Sequence, residues 1–63
     1  MIVVGYKANA NFVEVGNTIK RHTNYDSQTV RSLVSQIQNG QGVNLPDDFV
    51  LREDLEDLNL LIA

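Results

Sequence analysis

The clearest hydrophobic pattern in the chain lies near its middle. Four apolar residues recur there at i, i+3, i+4 and i+7, the spacing that places them on one face of an α-helix. They are Val30, Leu33, Val34 and Ile37. Because the positions between them are polar, the pattern predicts an amphipathic helix over residues 27–39 with one face in the core.

Both ends of this helix carry residues that are typical of helix termini. Asp26 or Ser27 can act as the N-cap, because a side-chain oxygen at that position accepts a hydrogen bond from the first free amide groups. At the other end Gly40 follows Asn39, and glycine readily adopts the left-handed conformation in which helices end. The pattern therefore predicts both termini of the helix.

The first fifteen residues favour β-structure. Over residues 1–7 the side chains alternate in a pattern typical of a strand with two partly apolar faces. Residues 8–11 have the composition of a turn, and residues 12–15 alternate again. The sequence thus predicts an N-terminal β-hairpin. Residues 16–25 show no clear period and fit either a longer second strand or a short turn of helix.

The C-terminal third has two interpretations. Residues 43–45 alternate as a short strand, which Pro46 ends. The tail after it is either one long helix, or a short acidic helix over about residues 52–58 between the extended segments 49–51 and 59–62. The long helix would place half of its large apolar side chains on the face that carries the carboxylates. We therefore prefer the short helix.

These elements define an α+β fold in a single domain that spans residues 1–63. An N-terminal hairpin and one or two further short strands would pack on the helix over 27–39, with a short acidic helix near the C-terminus. The order of the elements resembles the layout of β-grasp domains. A chain of this length buries only roughly 60% of its unfolded surface. Without cysteine it has no disulfides, so tight packing or self-association must supply the missing stability.

The two ends of the chain differ in charge. Residues 1–40 contain four lysines or arginines and two carboxylates, whereas residues 41–63 contain six carboxylates and one arginine. This polarity fits a head-to-tail contact or the recognition of a basic partner. The simpler interpretation is a solvated acidic rim.

The residue types present argue against an enzyme. His22 is the only histidine, and the hydroxyl groups near it lie in one loop of a domain too small for a deep pocket. The acidic residues after Pro46 lack the spacing of a calcium loop, and there is no glycine-rich loop before a helix to bind phosphate. We therefore expect no catalytic residues, no cofactor and no metal.

Protein binding is the function that the sequence favours. Residues 58–63 hold more large apolar side chains than one small helix can shelter, and an exposed apolar patch usually marks an interface; alternatively, they complete the core. The apolar interface candidates are Phe49, Leu60, Leu61 and Ile62. The acidic residues that would orient a basic partner are Glu53, Asp54, Glu56 and Asp57. We expect a small regulatory or binding module, with a homodimer as one of its forms.

The alternative function is a weak nucleic-acid-binding regulator built on the Lys20-Arg21 cluster. The cations that would contact phosphates are Lys7, Lys20, Arg21 and Arg31. So few cations in a chain of net charge −3 make a weak electrostatic footprint. No apolar run approaches the ~20 residues of a membrane span. The N-terminus also lacks a signal-peptide pattern, so we expect a cytoplasmic protein.

Overall fold

The computed structural model of the protein describes all residues from Met1 to Ala63. The element order is β1 (Ile2–Tyr6), α1 (Phe12–His22), α2 (Ser27–Gln38), β2 (Val43–Asn44), α3 (Phe49–Asp57) and β3 (Leu60–Ile62). The three strands form one antiparallel sheet in the order β2-β1-β3. The predicted α+β class is confirmed. None of the three helices has the length and apolar character that a membrane-spanning helix needs.

The predicted N-terminal hairpin is wrong, because residues 12–15 begin helix α1. Asn11 caps this helix, and its side-chain oxygen accepts a hydrogen bond from the Glu14 amide at 3.2 Å. Val15 and Ile19, four residues apart, are completely buried on one face of α1. Short alternation over four residues also fits a helix when the apolar period continues beyond it. The β-grasp-like layout, which depends on that hairpin, is therefore not the layout of this chain.

Helix α2 confirms the prediction for residues 27–39 to within one residue. Asp26 is the N-cap, and its carboxylate accepts a hydrogen bond from the Thr29 amide at 2.8 Å. The chain leaves the helix through Gly40, which has a φ of +79°. Val30 and Ile37 of the predicted stripe are buried, whereas the other two members, Leu33 and Val34, are half-buried against the core.

The C-terminal third is a helix followed by a strand, and the single long helix is wrong. Helix α3 begins at Phe49, three residues earlier than predicted, because the Asp48 carboxylate accepts hydrogen bonds from the Val50 and Leu51 amides. Residues 49–51 are therefore helical instead of extended. The chain turns at Asn59, which has a φ of +71°, and then forms the predicted final strand β3.

The central strand β1 pairs with a short strand on each side. Val3 is opposite Val43 of β2 and Ile62 of β3, whereas Gly5 is opposite Leu61. Val4 has no partner in this register, so it forms a bulge. The bulge shifts the alternation of side chains along the rest of the strand, and this shift determines the direction of Tyr6.

Tyr6 is 41% exposed but contacts the helices, although regular alternation would place it on the same sheet face as Ile2 and Val4. Its ring meets the ring of Phe12 edge-on, with the centroids 4.9 Å apart. Its hydroxyl group donates a hydrogen bond to the Gln38 carbonyl at 3.1 Å. Tyr6 thus ties the end of β1 to the start of α1 and the end of α2.

The hydrophobic core lies between the sheet and the helices, and all six elements contribute to it. Its members are Val3, Val15, Ile19, Val30, Ile37, Val43, Leu45, Leu51, Leu55 and Leu60. Thr18 is the only buried polar residue, and its hydroxyl oxygen accepts a hydrogen bond from the Arg21 guanidinium at 3.2 Å. The helices cover one face of the sheet and leave the other face open.

Candidate protein-interaction site

The open face of the sheet carries an apolar surface at its centre. Ile2, Val4 and Leu61 are 48%, 53% and 40% exposed. Gly5 lies between them, and a Cβ atom built on it would be 3.7 Å from a terminal methyl group of Leu61. We call Ile2, Val4 and Leu61 the sheet face. Three branched apolar side chains on the open side of one sheet form the kind of patch that partners cover.

The four predicted apolar interface residues separate into different environments. Leu60 is only 3% exposed and belongs to the core, and Ile62 is half-buried against that core. Leu61, between them, points to the open side of the sheet because side chains alternate along a strand. Phe49 is 73% exposed at the start of α3. Strand alternation therefore divides the C-terminal apolar run between the core and the surface.

The four predicted acidic residues all belong to α3, and two of them have an ion-pair partner in the same chain. An Asp54 carboxylate oxygen is 3.1 Å from Nε2 of His22, and Glu56 is 3.8 Å from the Arg52 guanidinium. Asp57 and Asp54 line one shallow cavity together with Arg21. Glu53 is exposed. Only Asp54 therefore forms an ion pair with α1, whereas Glu53, Glu56 and Asp57 remain exposed.

The basic cluster on α1 is dispersed by the helical period. Lys20 donates a hydrogen bond to the Ser27 hydroxyl group at the start of α2, whereas His22 contacts Asp54 of α3. Arg21, which donates a hydrogen bond to Thr18, lines a cavity with Asp54 and Asp57. Arg31 is exposed on α2, and Lys7 follows the end of β1. The structure therefore brings Lys20 close to Arg31 but does not bring all the predicted phosphate-contacting residues together.

A groove between α1 and α2 is a feature that the sequence did not predict. Its volume is about 430 Å³, and its apolar lining residues are Phe12, Val13, Val30 and Val34. Gly16 lies at its base, where a Cβ atom would be 3.5 Å from Val34 and 3.6 Å from Val30. Lys20 and Arg31 line the same groove. Val13, Gly16 and Lys20 lie at i, i+3 and i+7, so they share one face of a helix and could have indicated the α1 side of this groove. That spacing is informative only once residues 12–22 are recognised as helical.

Two carboxyl groups have lowered pKa values, and both lie at the ends of elements. Hydrogen bonds from Thr29 lower the pKa of Asp26, with a smaller contribution from the charge of Lys20. The N-terminal ammonium group of Met1 lowers the pKa of Asp47, because the two groups form a hydrogen bond of 2.6 Å and attract each other electrostatically. The same ammonium group donates a hydrogen bond to the Leu45 carbonyl at 2.8 Å. Both carboxylates therefore have structural partners.

Comparison of the chain with protein-family models, with curated proteins and with solved structures gives no match. The fold and the surfaces define a small α+β protein with an open, apolar sheet face and a separate groove between two helices. Any function must therefore be argued from these two surfaces.

Proposed function

We propose that the chain is a non-enzymatic binding module that acts through protein–protein contacts, and that its sheet face binds a second copy of itself. The observation that carries the proposal is the exposure of Ile2, Val4 and Leu61 together on the uncovered side of the sheet. Packing this face against another sheet would bury the three side chains, as it does in two-layer β-structures. Each buried side chain would contribute through the removal of apolar area from water.

The chemistry of the sheet face supports a second copy as the occupant. The sheet face consists of Ile2, Val4 and Leu61, and none of these is charged, so it offers no ion pair by which to select a basic or an acidic partner. A uniformly apolar surface can be complementary to itself, and two-fold symmetric dimers are the commonest oligomers of soluble proteins.

The size of the chain supports the same conclusion. Only 11 of its 63 residues are buried, so the core that one chain builds is small. A standard interface buries about 800 Å² on each partner. That would be about a fifth of the 3946 Å² that this chain exposes. Because the sheet has only three short strands, we expect a smaller contact and a weak, concentration-dependent dimer.

The decisive experiment is the mass in solution over a dilution series from about 1 mM to 1 μM. At about 1 M salt, where charged contacts are screened, the mass should approach twice the 7.0 kDa of the chain at the highest concentration. Leu61→Asp should return it to the monomer, because a carboxylate buried in an apolar contact without a partner is strongly unfavourable. Gln28→Glu adds the same charge on the exposed side of α2 and should leave the dimer intact.

The structure of the variant must be checked before its mass is interpreted. Circular dichroism of Leu61→Asp should match that of the parent chain, because Leu61 lies outside the core. The milder change Val4→Thr, at the bulge, should weaken the dimer without abolishing it. A parent chain that remains monomeric at millimolar concentration and high salt would refute the proposal.

The second candidate function is the weak nucleic-acid-binding regulator. The observation that favours it is that no ion pair in the structure includes Lys7, Lys20, Arg21 or Arg31. Against it, the Arg21 side chain shares a cavity with Asp54 and Asp57, which would repel a phosphate. Only Lys20 and Arg31 converge on one groove. Self-association through the sheet face is therefore the function we favour.

A further inference from the structure

We propose that the groove between α1 and α2 binds the start of helix α3 of another copy, so that copies also join head to tail. This contact uses two surfaces that share no residue with each other or with the sheet face. The proposal depends on the shape and charge of the groove, on an exposed apolar element elsewhere in the chain, and on the match between them.

The groove combines an apolar base with two cations. Val30 and Val34 form the base with Gly16, whose lack of a side chain keeps this part of the groove open. Lys20 and Arg31 are exposed and form no ion pair with a carboxylate. Lys20 interacts electrostatically with Asp26 and also lines a second shallow cavity together with Glu14. The groove is therefore suited to an apolar side chain flanked by carboxylates.

The start of α3 has the complementary composition. Phe49 is 73% exposed, and Val50 beside it is 53% exposed, although both open a helix whose next residue, Leu51, is completely buried. Two adjacent large apolar side chains that are exposed at the start of one helix form an apolar patch, and a partner would remove that patch from water. Glu53, four residues after Phe49, is exposed and forms no ion pair, whereas Asp47, which precedes the pair, is exposed but is paired with the N-terminal ammonium group. We call Phe49 and Val50 the α3 knob.

Charge and shape match between the two surfaces. An aromatic ring with one aliphatic neighbour would occupy a groove of about 430 Å³, where Phe12 and Val13 would contact them. Lys20 and Arg31 would then lie opposite Glu53, the carboxylate beside the knob that forms no ion pair in its own chain, and complementary charges of this kind fix the orientation of a contact. Arg52 would not oppose this arrangement strongly, since it is already 3.8 Å from Glu56.

The geometry of this contact has a consequence for assembly. The groove and the knob are different surfaces, so the contact is heterologous, and each copy can use its groove and its knob at once. Such contacts produce rings or open chains of copies instead of closed pairs. The head-to-tail contact should also weaken as salt rises, because exposed charges are screened. This behaviour separates it from the apolar sheet-face dimer.

The test uses two variants, each of which removes one half of the contact. Arg31→Glu reverses the charge in the groove, and Phe49→Ser removes the knob. Both residues are exposed, so both variants should fold. The variants are made in the Leu61→Asp background, which removes the sheet-face contact. Their masses are then measured by sedimentation at about 20 mM salt, where screening is weak.

Each variant alone should associate about tenfold more weakly than the Leu61→Asp parent, and an equimolar mixture should restore the association as a dimer of one copy of each. The mixture has one intact groove and one intact knob per pair, so the assembly should stop at two copies. Lys7→Glu makes the same charge change outside the groove and should retain head-to-tail association of the parent, whereas Arg31→Glu should weaken it about tenfold.

Two outcomes would overturn the proposal. One is a mixture that stays monomeric under conditions in which the Leu61→Asp parent associates. The other is a Leu61→Asp parent that is monomeric at low salt and millimolar concentration. In both cases the sheet-face dimer could still be present in the unmodified chain at high salt, so the failure of one contact is distinguishable from the failure of the other.

Discussion

At the scale of single residues, end groups and caps determine where the elements of this small domain begin. Asp26, Asp48 and Asn11 each accept a backbone amide hydrogen bond at the start of a helix. Asp47 has a different partner, the N-terminal ammonium group, which also binds the Leu45 carbonyl. These two contacts hold the beginning of β1 beside the segment that follows β2.

The pair formed by Asp47 and the N-terminus predicts a pH dependence of stability. The pKa of Asp47 is lowered from 3.8 in the folded chain, so the stabilisation is complete above that value and is lost as the pH falls through the lower folded pKa. Urea unfolding should show that Asp47→Asn is less stable than the parent at pH 7. The difference should shrink steadily when the measurement is repeated below pH 3.8.

The matched control for this prediction is Glu53→Gln. It removes a carboxylate from an exposed position that makes no ion pair in the structure. The same change in charge at this site should not produce the acid-dependent difference in stability. Equal pH profiles for Asp47→Asn and Glu53→Gln would show that the ammonium–carboxylate contact contributes nothing to folding.

At the scale of elements, helix α1 is the part of the fold that sequence patterning misassigned. Residues 12–15 alternate in a way that suits a strand, and four residues are too few to separate a period of two from one of 3.6. Burial separates the two possibilities. Val15 is completely buried, whereas Val13 is 75% exposed, so the two valines lie on different faces. In a strand they would share one face.

This difference predicts the effect of two otherwise identical substitutions. Val15→Ala should lower the free energy of unfolding by about 2 kcal/mol, because it removes two buried methyl groups and leaves a cavity. Val13→Ala should change it by less than about 0.5 kcal/mol, as is usual for exposed positions. Chemical denaturation of both variants provides the measurement. Comparable losses for the two would contradict the helical assignment of residues 12–22.

At the scale of the whole molecule, the charge polarity of the sequence is partly neutralised by folding. The acidic helix α3 packs against α1, which carries basic residues in its last turn. His22 meets Asp54, and Arg21 lies beside Asp54 and Asp57. Of the cations that form no ion pair, Lys20 and Arg31 line the groove where α1 meets α2. Contacts within the chain therefore reduce the separation into a basic and an acidic surface that the sequence predicts.

This distribution of cations and carboxylates predicts that the chain binds nucleic acid weakly or not at all. Fluorescence anisotropy with a mixed-sequence duplex should show little binding at about 50 mM salt and none at about 200 mM. Any binding at the lower salt should be reduced by Arg31→Glu more than by Arg21→Glu, because Arg21 already has carboxylates beside it. Tight binding that survives the higher salt would instead favour the nucleic-acid-binding regulator.

The sequence by itself determined the elements whose signals are local. Helix α2 and its glycine terminus follow from periodicity and side-chain chemistry within one segment. The sequence left the N-cap open between Asp26 and Ser27, and it favoured the short helix and strand of the tail over one long helix without excluding the latter. Only the tertiary structure decided that residues 12–22 form a helix, that a bulge at Val4 places Tyr6 on the helix side of the sheet, and which members of the C-terminal apolar run are exposed. The physical reason is that these features depend on strand pairing and packing between segments distant in sequence, where short-range patterns are ambiguous.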